Sequence, residues 1–117
     1  MKQFAFIFRQ GRRLLSPAEQ KQRADEVRAW ALALKADKKL DPRLLGDQSQ
    51  QFTPEGGSLS AVPGAEGSIV AITFLEAADF SEAVKIAETH PGPRYGNSVE
   101  VRDWSLPPTL AASKPVS

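Results

Sequence analysis

Phe4, Phe6 and Phe8 alternate with Ala5 and Ile7, a two-residue period that predicts a strand over residues 2–9, and the polar run Arg9-Gln10-Gly11-Arg12-Arg13 closes it. Ser16-Pro17-Ala18-Glu19 then supplies an N-cap serine, a proline at the first helical position and a glutamate three residues after the cap. A long helix should begin there, with Ala24, Val27, Ala31 and Leu34 along one stripe, Trp30 beside it, and Lys21, Arg23, Glu26 and Arg28 on the remainder. It should end near residues 38–40, because the position before Pro42 disfavours helical geometry. The β-branched and aromatic run Ser68 to Glu76 predicts a second long strand. After it, Asp79 and Glu82 repeat the capping spacing, and Phe80, Ala83, Val84 and Ala87 fall at i, i+3, i+4 and i+7 of a helix that stops at His90-Pro91. A Gly/Pro turn leads to a last strand over Ser98 to Trp104.

The pattern is weakest between Asp41 and Gly67, where seven glycines and prolines from Gly46 onward interrupt polar sequence. Short strands at Gln50 to Thr53 and Ser58 to Val62, joined around Pro54-Glu55-Gly56-Gly57, are what it supports. Leu106 to Ser117 lacks apolar periodicity and predicts an extended C-terminal tail after a domain over residues 1–105. Two halves that each run strand-helix-strand make an α+β, ferredoxin-like βαββαβ domain with an antiparallel sheet. Two helices on one face leave the other face bare, and a homodimer is the economical cover.

Composition narrows the chemistry. The 117 residues suit a single core, and 15 basic against 14 acidic side chains give a formal charge of +1, which supplies no field for nucleic acid or an anionic membrane surface. Without cysteine there is no thiol nucleophile or zinc-thiolate site, and a single histidine leaves any metal chemistry to carboxylates. Neither a P-loop nor a dinucleotide fingerprint is present, so no cofactor is implied. Met1-Lys2-Gln3 runs straight into a strand without the pattern of a signal peptide, and no apolar run approaches the ~20 residues of a membrane span. A cytoplasmic protein is the expectation.

The run Ile72-Thr73-Phe74-Leu75-Glu76-Ala77-Ala78-Asp79-Phe80-Ser81-Glu82-Ala83, then Ile86-Ala87, His90-Pro91 and Ser98-Val99-Glu100-Val101-Arg102, resembles the YCII-related family, including its DGPF-domain branch. The resemblance implies a ferredoxin-like fold that pairs into a dimeric α/β barrel. Where the DGPF branch carries Asp-Gly-Pro-Phe, this chain has Ser58-Leu59-Ser60-Ala61-Val62-Pro63-Gly64-Ala65-Glu66-Gly67. Other members carry a histidine early in the first helix with an aspartate further on, whereas residues 16–34 here contain no histidine. Chemistry assigned through either signature does not carry over, and the resemblance implies a fold more than a reaction.

His90 is the one side chain whose ordinary pKa lies near neutrality, which makes it the first candidate acid or base. A histidine at a helix C-terminus also satisfies terminal carbonyls and the dipole, a purely structural role. Glu100 and Arg102 alternate with Val99 and Val101 and share a face with Trp104. If the valines meet the helices, these three face a barrel interior, where Arg102 would bind a substrate carboxylate and Glu100 would act as base or pair with it. A structural ion pair is the plainer role for the two charges. Tyr95, between Arg94 and Gly96, completes the candidate substrate-binding set. The three phenylalanines suit either a core or a cavity wall, and Arg9, Arg12 and Arg13 suit a solvated loop better than a phosphate site.

Two functions stay open: a small-molecule-binding or accessory dimerisation module, and a small-molecule enzyme with acid-base chemistry on His90, Glu100 and Arg102.

Overall fold

The computed structural model describes residues 1–46, 48–59 and 65–112. Strand β1 (Lys2–Arg9) is followed by helix α1 (Pro17–Lys38), strand β2 (Asp41–Leu44), the short strands β3 (Gln51–Phe52) and β4 (Ser58–Leu59), strand β5 (Ile69–Ala77), helix α2 (Phe80–Glu88), a 3-10 turn (Gly92–Tyr95), strand β6 (Ser98–Asp103) and helix α3 (Pro108–Ala112). The main sheet has the order β2-β5-β1-β6, antiparallel throughout, with β5 and β1 in the centre as their apolar character requires. It is an α+β arrangement compatible with a ferredoxin-like fold.

Register assigns the faces. Phe4, Phe6 and Phe8 stand opposite Leu75, Thr73 and Ala71 on one side and Asp103, Val101 and Val99 on the other. This set faces the helices, and Phe4 and Phe6 are the largest side chains shut completely from water. Ala83, Ile86 and Ala87 of α2 pack onto it with Val99 and Val101. Ala5, Ile7, Ile72, Phe74, Glu100 and Arg102 fall on the opposite face by strand alternation. The register slips by one residue between Phe8 and Arg9, which pair with Ala71 and Ile69, so Val70 is the extra residue of a bulge and joins Ala71 on the helix side.

Three features differ from the sequence expectation. Asp41-Pro42 ends α1 and also begins β2, the fourth strand of the sheet; proline is tolerated there because β2 is an edge and needs no donor on its outer side. The hairpin around Pro54 to Gly57 forms, but as a separate two-stranded sheet of Gln51–Phe52 against Ser58–Leu59, and residues 60–62 of its expected second strand lie outside the described residues. Pro108–Ala112 is helical where an extended tail was expected, Pro108 being compatible with a first helical position and Leu110 N–H donating to Pro107 O at 2.9 Å. The remainder of the tail lies outside the described residues.

Helix α1 begins where its cap chemistry places it. Glu19 N–H donates to Ser16 Oγ at 3.2 Å and Ser16 N–H donates to Glu19 Oε1 at 3.1 Å, a reciprocal capping box. That backbone hydrogen bond, with Arg13 nearby, holds the Glu19 carboxyl below the ordinary carboxylate range. The loop before the helix lies tight on the 3-10 turn: a Cβ at Gly11 would come within 1.9 Å of Gly96 O. No residue of α1 is buried, and Ala24, expected on its inner stripe, is exposed.

Replacing Ser16 with alanine should lower unfolding free energy by about 1 kcal/mol through loss of the cap. A urea midpoint equal to that of the parent chain would contradict the box.

Candidate functional site

The inner stripe of α1 is built from short side chains, Ala24, Val27 and Ala31, of which only Ala31 packs against the core. A cavity of about 820 Å³ therefore lies between α1 and the β2-β5-β1 side of the sheet. Trp30, Val27 and Ala31 roof it, Phe8, Val70, Ala71 and Thr73 form its floor, and Leu40 and His90 close its ends. Helix α2 leaves no such gap, because Ile86 and two buried alanines sit directly on the sheet.

His90 is the best-defined polar group of the site. It is 9% exposed, with its ring centroid 4.5 Å from that of Phe8 and 4.7 Å from that of Trp30, the latter edge-on. Its Nδ1 accepts the Gly92 N–H at 2.9 Å, so the neutral ring carries its proton on Nε2. Glycine is needed at 92 for that approach, since a Cβ there would lie 2.9 Å from Nδ1. Trp30 is held in turn: its Nε1–H donates to Thr89 Oγ1 at 2.8 Å, and Thr89 Oγ1 donates to Ile86 O at 2.6 Å. Among the described residues nothing takes the His90 Nε2 proton or bonds the Thr73 hydroxyl. Among the described residues no side-chain nitrogen or oxygen is both fully buried and unpartnered, and both groups line the cavity.

Among the described residues, the charged groups that line this cavity are all cationic. Arg23, Arg28, Lys35 and Arg43 line it, with no aspartate or glutamate among the lining residues. Arg23 Nη1 donates to Asn97 Oδ1 at 3.1 Å and Arg43 pairs with Asp41 at 3.0 Å, while Arg28 and Lys35 meet no carboxylate among the described residues.

The remaining sequence candidates lie elsewhere. Glu100 is on the open face of the sheet, paired with Arg9 at 2.8 Å and Arg102 at 3.1 Å, and the hydrogen bond from Arg102, seconded by Arg9, keeps its carboxyl below the usual range. Trp104 packs on Phe74 with centroids 5.0 Å apart and remains 45% exposed. The sheet thus separates Glu100, Arg102 and Trp104 from His90, and the structure does not bring the proposed acid-base trio together. Tyr95 is buried beside α1, where its hydroxyl donates to Glu26 Oε2 and Arg94 pairs with Glu26 Oε1 at 2.6 Å; the Glu26 hydrogen bond raises the phenol pKa. It braces the helix and does not line the cavity. Sequence reasoning missed Arg28, Lys35 and Trp30 as site residues; the signal was the alanine stripe itself, whose short side chains leave room beneath a helix.

Among the described residues, no three histidine, aspartate or glutamate side chains are grouped to hold a metal, and no helix is long and apolar enough to cross a membrane. No protein-family model and no curated protein matches the chain.

Burial lowers the His90 pKa from 6.5 to about 4. Between those values the unfolded chain takes up a proton that the folded chain refuses, so this contribution to stability is complete above pH 6.5 and is lost as pH falls toward 4. His90→Asn keeps an acceptor for Gly92 N–H and removes the titration. Urea midpoints from pH 6.5 down to about 5, above the main carboxylate range, should fall in the parent and stay level in the variant. Parallel slopes would show that the ring is not held neutral.

Proposed function

We propose that this chain is a small-molecule-binding protein whose ligand occupies the cavity between α1 and the sheet, within a YCII-like homodimer that pairs through the open sheet faces. The cavity carries the reading: its volume lies within the range of about 300–1,000 Å³ typical of ligand sites, and its apolar walls hold only a few polar groups, His90 Nε2–H and the Thr73 hydroxyl among them. Binding is favoured over acid-base catalysis because a neutral imidazole with no carboxylate beside it in the cavity is a hydrogen-bond donor to a ligand oxygen more than a proton shuttle.

The open face supports the dimer. Ile7, Ile72, Phe74 and Trp104 form an apolar surface beside the Arg9-Glu100-Arg102 ion-pair cluster. Pairing two such faces would build the barrel, with Glu100, Arg102 and Trp104 inside it.

Two measurements test these proposals. The neutral fluorophore N-phenyl-1-naphthylamine should brighten on the parent protein and not on Ala31→Phe, which fills the cavity; absence of brightening on the folded parent would refute the binding reading. Light scattering at micromolar concentration should give twice the 12.7 kDa chain mass, falling to one chain for Phe74→Lys. A folded parent of single-chain mass would refute the barrel while leaving the cavity reading intact.

A further inference from the structure

We infer that the ligand of this cavity is an amphipathic anion, an aliphatic or aromatic body ending in a carboxylate; the inference rests on the binding reading above and names the ligand class. Two independent properties of the cavity carry it, the apolar wall and the sign of the charges at its mouth.

The mouth lies between α1 and the edge strand β2, where the lining residues are most exposed: Leu44 is 87% accessible, and Leu32, Arg28, Lys35 and Arg43 are exposed with it. Arg28 and Lys35 are seven positions apart on one helix, which puts them on the same side about 10 Å apart, flanking Ala31. The whole chain is close to charge balance, with 15 basic and 14 acidic side chains, so four cations and no carboxylate among the described lining residues of one cavity is a local bias. Arg43 is already shared with Asp41 and Arg23 is tied to the Asn97 amide, which leaves Arg28 and Lys35 as the lining cations whose side chains have no hydrogen-bond or ion-pair partner among the described residues. A carboxylate at the mouth would find both, while its body lies along Trp30, Phe8 and Val70. A cation would be repelled at the same place, and an uncharged chain would gain only from the wall.

The experiment uses the full chain and three ligands of equal length, decanoate, decanol and decyltrimethylammonium, each kept below its micelle concentration and titrated by displacement of N-phenyl-1-naphthylamine at pH 8. Decanoate should bind about tenfold tighter than decanol at ~20 mM salt, the effect of two exposed charge contacts, and the gap should close toward ~500 mM salt. Decyltrimethylammonium should bind more weakly than decanol. The double variant Arg28→Gln with Lys35→Gln, at two exposed helix positions, should lose the preference for decanoate over decanol. Equal displacement by decanoate and decanol would overturn the anion inference with the cavity reading intact. Retention of the preference in the double variant would overturn the assignment to these two cations. A parent that does not bind the fluorophore would overturn the binding reading and this inference together.

Discussion

The short side chains on the inner side of α1 impose the constraint from which the site follows. A helix packed on a sheet normally sends branched or aromatic residues down to fill the interface to the density of a protein interior. Helix α1 sends Ala24, Val27 and Ala31, and only Trp30, Ala31 and Leu34 reach the core margin. A gap this large is stable only if something other than apolar contact keeps the helix in position. That role falls to polar ties along its length: the Ser16-Glu19 box and Arg13 to Arg94 O at its start, Glu26 to Tyr95 and Arg94 in its third turn, Trp30 to Thr89 in the middle, and Lys38 to Glu82 at 2.9 Å at its end. Each exposed tie is worth little alone. Distributed over the helix, they set its height above the sheet without occupying the space beneath it.

The same ties explain why His90 is neither a simple helix stop nor a free acid or base. Its neighbours arrive from three elements: Phe8 from the end of β1, Trp30 from α1 and Gly92 from the 3-10 turn. Two aromatic rings remove water from the imidazole and the backbone N–H occupies its Nδ1, so burial disfavours the charged form. What remains is one oriented N–H in an apolar wall. Such a group discriminates between ligands by whether they offer an acceptor, because burying it unpaired carries a penalty.

The elements that bury a regular stripe were legible in the sequence. Strand period over 2–9 and 68–76, the two capping signatures at Ser16 and Asp79, and the valine-charge alternation of 98–103 each reflect local chemistry that the tertiary structure keeps. Strand β2 was not legible, because Asp-Pro-Arg-Leu has one apolar residue besides proline and owes its extended form to backbone pairing with Phe74 to Ala71. Face assignment was legible only as a conditional: alternation put Glu100, Arg102 and Trp104 together, but nothing local places His90 on the far side of the sheet from them. The cavity was the least legible feature, since a missing volume has no residue of its own. Its trace was an alanine where a leucine would pack.

Both faces of the sheet leave apolar surface without cover from the described residues, and they differ in the polar groups beside it. On the helix side, His90 Nε2–H, Thr73, Arg28 and Lys35 are uncompensated among the described residues, which suits an occupant that brings acceptors and negative charge. On the open side, Arg9, Glu100 and Arg102 already neutralise one another around Phe74 and Trp104, which suits a partner that brings shape and apolar area. A self-complementary surface is what a two-fold interface requires, and a surface with one sign of charge opposes its own copy. The distribution of charge thus favours the proposed pairing of chains through the open face and the proposed ligand in the cavity. The central strands β1 and β5 contribute residues to both faces, Phe8 and Ala71 to the cavity and Ile7 and Ile72 to the open side.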